Sequence, residues 1–151
     1  KIDDFFEQEN LSDKISEILS SRYFENDILR KHNSIVNLKV QECLKEELKN
    51  CLYVNDLTHP ENEQYITSIY SFVYMDCSFF VGNDSSFTGY CDCVFDAKVN
   101  KNITNNDINT INERIFCHCR LTITKEHRIL TISDINNLKV ALDYVDDMYK
   151  Y

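Results

Sequence analysis

The sequence predicts an α+β fold: two N-terminal helices packed on one face of an antiparallel sheet of three to four strands, followed by a C-terminal helix. Three observations carry this. Apolar residues recur every three or four positions through the first third of the chain, as on one side of a helix. Between residues 70 and 124 they instead alternate with polar ones, the period of a strand with one covered face. Only two glycines and one proline occur in 151 residues, which leaves little material for a fold built from many tight turns.

The elements follow in order. Leu11, Ile15, Ile18, Leu19 and Tyr23 form the first helical stripe, with Asn10 or Ser12 available as cap, over about residues 11 to 30. A second stripe, Val36, Val40, Cys43, Leu44, Leu48 and Cys51, opens at a cap from Asn33 or Ser34. Residues 53–63 read as a polar connection marked by Pro60. Tyr65 to Val81 is the first strand, residues 82–86 a turn, and Phe87 to Lys98 the second strand. Lys101 to Asn112 is Asn-rich, with a centre that reads as a short edge strand or a loop; Arg114 to Thr124 is the last clear strand. Ser133 and Asp134 then cap a final helix with Leu138, Ala141, Leu142, Val145 and Met148 on one side.

Strand alternation also sorts the side chains by face. Val73, Met75, Cys77 and Phe79 share a face on the first strand, as do Phe87, Gly89, Cys91, Cys93 and Phe95 on the second. Ile115, Cys117, Cys119, Leu121 and Ile123 do so on the last. Five of the seven cysteines therefore fall on the covered face, where a free thiol acts as a small apolar group. The opposite face carries Phe72, Tyr74, Asp76, Tyr90, Asp92, Phe116, His118 and Arg120. Aromatics interspersed with charges on an open sheet mark a surface that meets another chain, and Tyr74, Tyr90, Phe116, His118 and Arg120 are the candidate partner-binding residues.

A formal net charge of −9 argues against nucleic acid and against anionic membrane surfaces as partners. There is no apolar run long enough to span a bilayer, and the residues from Lys1 to Glu9 do not resemble a signal peptide. An odd number of cysteines, two of them in helical pattern, points to reduced thiols and a cytosolic setting.

Little in the sequence points to catalysis. There is no glycine-rich phosphate loop, no nucleophile elbow and no His-Glu-x-x-His motif. His118 adjoins Cys117 on a strand, so the two side chains leave on opposite faces, and His32, His59 and His127 lie in polar contexts. No cofactor is expected. The one metal alternative is a zinc site from Cys91, Cys93, Cys117 and Cys119. Against it, thiols two apart on a strand stand roughly 6.5 Å from one another, unlike the turn-borne pairs of zinc knuckles.

The stretch from residue 11 to residue 124 resembles the Tctex-type dynein light chains. The resemblance rests on the order of several pieces: a first helix passing Tyr23, a second with Val36, Val40, Leu44 and Leu48 at four-residue spacing, and a long strand from Tyr70 to Phe80. A strand from Gly89 to Asp96 and a closing strand from Arg114 to Ile123 complete it. It implies a single domain whose light-chain-like core spans 11–124, with 125–151 as a helical extension. It further implies a non-catalytic, cytoplasmic, cytoskeleton-associated adaptor of a microtubule motor. Such a protein forms a homodimer by exchanging a strand, here Phe87 to Phe95, and binds a dynein intermediate chain or cargo peptide as an added strand. An interaction module of RWD-like fold is the other alternative.

Overall fold

The computed structural model describes residues 22–80, 82, 85–102 and 108–151. Two helices, α1 (Arg22–Lys31) and α2 (Asn33–Glu47), lead into β1 (Leu52–Val54), a 3₁₀ turn (Pro60–Asn62) and three strands of 17 residues each. These are β2 (Gln64–Phe80), β3 (Ser86–Asn102) and β4 (Ile108–Thr124). A five-residue helix, α3 (Ile132–Asn136), and β5 (Lys139–Lys150) complete the chain. The five strands form one antiparallel sheet in the order β1-β2-β3-β4-β5, each pairing with its sequence neighbour. The expected first helix is seen as α1, and its portion before residue 22 lies outside the described residues.

Helix α2 forms because Val36, Val40, Leu44 and Leu48 recur every fourth residue and are all fully or nearly fully buried. Its N-cap is His32, which makes no side-chain capping bond, rather than Asn33 or Ser34. Beyond the C-cap Leu48, Asn50 has φ 66°, a left-handed conformation that asparagine tolerates better than most residues. Asn50 N–H then donates to the Ile66 carbonyl, and Ile66 N–H to the Cys51 carbonyl, tying the end of the helix to β2. The helix lies against the inner face of the sheet, touching β2 on one side and β5 on the other. Its buried stripe shares one core cluster with Ile66, Ile69, Phe87, Phe95, Val99, Ile115, Leu121, Ile123 and the four central thiols.

Two edges depart from simple alternation. In β2, Thr67, Tyr70 and Val73 are each an extra residue opposite β3, so the inward positions become Ile66, Ile69 and Phe72 before alternation resumes at Met75, Cys77 and Phe79. This corrects the expected faces: Phe72 packs inward, its ring 5.7 Å from that of Phe95, while Val73 is exposed. In β5, Asp143 and Asp146 are the extra residues opposite β4, giving inward positions Val140, Leu142, Val145 and Met148. Bulges bend a sheet, and this one curls round α2 far enough to bring β1 against β5.

The C-terminal helix expected over 134–150 is therefore corrected. Residues 139–150 are the fifth strand, and only Ile132–Asn136 is helical. Two bulges space Leu142, Val145 and Met148 three apart, which imitates a helical stripe. The N-cap of α3 is Thr131, in a capping box: its hydroxyl accepts from Asp134 N–H, and the Asp134 carboxylate accepts from Thr131 N–H. The sheet accordingly has five strands rather than three or four. The stretch 101–112, whose centre the sequence reads as a short edge strand or a loop, is described only at its ends. Its two ends extend β3 and β4, and residues 103–107 lie outside the described residues. The connection 53–63 contains the end of β1 and the 3₁₀ turn.

Two local features fix the layers. Gly89 sits opposite Phe79, where a Cβ would lie 2.2 Å from the phenyl ring, so the missing side chain is what lets that ring cover β3. Helix α1 is anchored by a buried ion pair. Lys125 Nζ, just after β4, donates to both carboxylate oxygens of Glu25 at 2.6 Å, and Ile129 N–H donates to Glu25 Oε2 at 2.8 Å. Lys125 Nζ also stands 5.0 Å from the centroid of the Phe87 ring.

Candidate partner-binding face and edge

The outer face of the sheet is built in rows that run across the strands. One row is Tyr74, Val94, Phe116 and Tyr149, and the next is Asp76, Asp92, His118 and Asp147. The third is Ser78, Tyr90, Arg120 and Tyr144. All five residues singled out from the sequence, Tyr74, Tyr90, Phe116, His118 and Arg120, lie on this face. Three of them meet: Tyr90 is directly opposite Arg120 and stacks on His118 with ring centroids 5.8 Å apart and planes 3° from parallel. Phe116 packs instead on Tyr149 at 4.9 Å, and Tyr74 is separated from it by Val94.

Charge on this face is organised around β4. His118 Nδ1 is bonded to the Asp92 carboxylate, and Nε2 lies 3.4 Å from Asp146. Asp92, with Asp146 adding to it, raises the His118 pKa above the ordinary imidazole value. Arg120 lies 3.5 Å from Asp143 and 5.7 Å from the centre of the Tyr144 ring; Thr122 donates to Asp143 at 2.7 Å. Farther along, Arg114 makes a two-pronged bond to Asp96 at 2.8 and 3.1 Å, which lowers the Asp96 pKa. Carboxylates on both sides of the imidazole favour its charged form, an arrangement that can recognise a charged partner.

Sequence reasoning missed the β5 contribution: Asp143, Tyr144, Asp146, Asp147 and Tyr149. The signal was the alternation Val140, Leu142 against Ala141, Asp143, which is a strand period at the very start of the segment.

The sheet's free margins are the second feature. β1 covers β2 at Gln64 and Tyr65, and Asn50 and Cys51 bond both backbone groups of Ile66, so from Thr67 to Phe80 β2 pairs with β3 alone among the described residues. Beside the far end of this margin lies a cleft of about 370 Å³ between the two helices and β2. Leu29, Val36, Cys77 and Phe79 contribute apolar lining, and Asn26, Asn33 and Asn37 contribute amides.

The thiols point the other way. Cys91 faces Cys119 and Cys93 faces Cys117 across β3 and β4, all four fully buried, and all seven cysteines are free. The Cys119 hydrogen bond and burial hold the Cys91 and Cys117 thiols far above their ordinary range. Cys93 and Cys119, which interact first with Cys117 and next with Cys91, are shifted down. Cys43, on α2, is pushed up to about 11 by burial and then by Glu47. Among the described residues, no group of three or more His, Cys, Asp or Glu side chains is placed to hold a metal ion. No described helix is long and apolar enough to cross a membrane.

No family model, curated protein or solved structure matches this chain.

Proposed function

We propose that this chain is a non-catalytic adaptor of the dynein light chain type, which receives an extended segment of an intermediate chain or cargo protein as an added strand along β2. The observation that carries the reading is the one-sided β2 margin from Thr67 to Phe80. A row of unpaired backbone donors and acceptors can be completed by another chain, and an adjoining cleft takes that chain's alternate side chains. The cleft beside Cys77–Phe80 supplies both an apolar floor and amides that can bond a peptide backbone.

The homodimer fits the same physics in a modified form. Phe87–Phe95, the segment named for exchange, lies inside β3 and is paired on both sides within its own chain. Exchanging it would break two ladders at once. The outer margin of β5 pairs with β4 alone among the described residues, so joining two copies there breaks no strand ladder, although β1 lies against part of β5.

The test is capture of the purified chain on an immobilised intermediate-chain N-terminal segment, using wild type and Val73→Pro. Val73 is an extra residue at a bulge, where proline is tolerated, yet proline projects into the path of an added strand. Wild type should be captured and Val73→Pro should not, with identical circular dichroism. Failure of wild type to bind, or equal capture of the two, overturns the reading.

A further inference from the structure

The outer face is distinct from the β2 margin and is not used by strand addition. Its middle row sets Asp76 directly opposite Asp92, and Asp147 opposite His118, with Asp146 beside it at the bulge. Four carboxylates thus share a strip with one imidazole. His118 bonds to Asp92 and lies near Asp146, while Asp76 and Asp147 have no ion pair among the described residues. Like charges directly opposite on neighbouring strands destabilise a sheet, so this strip carries a local cost that an incoming cation relieves. On either side stand aromatic rows whose rings are half open: Tyr74 and Tyr149 are each 53% exposed, and Tyr144 is 44% exposed. Arg120 over Tyr144 already shows how a guanidinium sits on such a ring here.

We propose that this face is a docking surface for an extended, Lys/Arg-rich segment of a partner protein. The aliphatic stems of such side chains lie along the Phe116–Tyr149 and Tyr90–Tyr144 rows, and their charged heads reach the aspartates between. Same-face residues on a strand are about 7 Å apart, the interval at which alternate side chains of an extended segment repeat, so rows and ligand are in step. Charge decides the occupant. A second copy of a chain with net charge −9 would bring the same aspartates against these, whereas a basic segment complements them.

The experiment uses the full chain and two labelled peptides, one alternating Arg with Ser and one alternating Glu with Ser, followed by fluorescence anisotropy and NMR shift mapping. The Arg peptide should bind and the Glu peptide should not. Shifts should centre on Asp76, His118 and Asp147, and affinity should fall as salt rises. Asp76→Asn combined with Asp147→Asn should weaken the Arg peptide about ten-fold while leaving unfolding unchanged or slightly improved. Equal binding of both peptides, undiminished binding by the double variant, or shifts confined to 66–80 would overturn the proposal. So would a dimer of the wild-type chain that Tyr74→Ala disperses, since Tyr74 is on this face and far from the β5 margin. Strand addition is read separately: the double variant should still be captured by the intermediate-chain segment, and Val73→Pro should still bind the Arg peptide.

Discussion

The Glu25–Lys125 pair offers the sharpest energetic test of the fold. Both side chains are almost wholly out of solvent, 2% and 4% exposed. Glu25→Ala leaves the ammonium of Lys125 without its two charge-assisted bonds and orphans the Ile129 N–H. Breaking a buried pair from one side costs about 3–5 kcal/mol, because the surviving charge stays desolvated. That is a large part of the 5–15 kcal/mol of net stability that ordinary domains have, taken as a rough guide. Replacing both partners, Glu25→Met with Lys125→Met, removes both charges and leaves only the Ile129 N–H unsatisfied, at about 1–3 kcal/mol. Urea unfolding followed by circular dichroism measures all three proteins. The double variant should be more stable than Glu25→Ala alone. A cost below about 1 kcal/mol for Glu25→Ala, or a double variant no more stable than Glu25→Ala, would refute the idea that this pair anchors α1.

Other expectations follow from the same structure. Leu44→Ala empties a fully buried position between α2 and the sheet and should cost about 2–5 kcal/mol in the same unfolding assay. His118 should titrate above the ordinary imidazole value by NMR, and Asp92→Asn should bring it down. Because its folded pKa is raised, its contribution to stability is fully present below about 6.5, the unfolded value, and is lost as pH rises through the folded pKa. A thiol reagent should leave Cys91, Cys93, Cys117 and Cys119 unmodified in the native chain and reach all seven cysteines in denaturant; rapid native modification of those four would contradict their packing role.

Legibility in the sequence followed periodicity. Where one period held, the reading was good: the α2 stripe from Val36 to Leu48, the inward run Phe87 to Phe95, and the inward run Ile115 to Ile123 are all buried. Where bulges inserted residues, alternation became spacing by three. In β2 that exchanged Phe72 for Val73, and in β5 it turned a strand into an apparent helix. A residue's face depends on how many residues the neighbouring strand sets against it, which no single segment reveals. The five outer-face residues were found because they sit on the regular parts of β3 and β4, or, for Tyr74, just past the last β2 bulge. Their β5 neighbours were hidden by the same bulges. The Glu25–Lys125 pair spans 100 residues of sequence and left no local signal.

Amide hydrogen exchange with and without a saturating intermediate-chain segment addresses the adaptor reading most directly. Strand addition along β2 predicts that amides between Thr67 and Phe80 which exchange freely in the isolated chain become protected in the complex, while β3 and β4 are little changed. Unaltered exchange across β2 in a chain that has bound the segment, or protection confined to other strands, would contradict it.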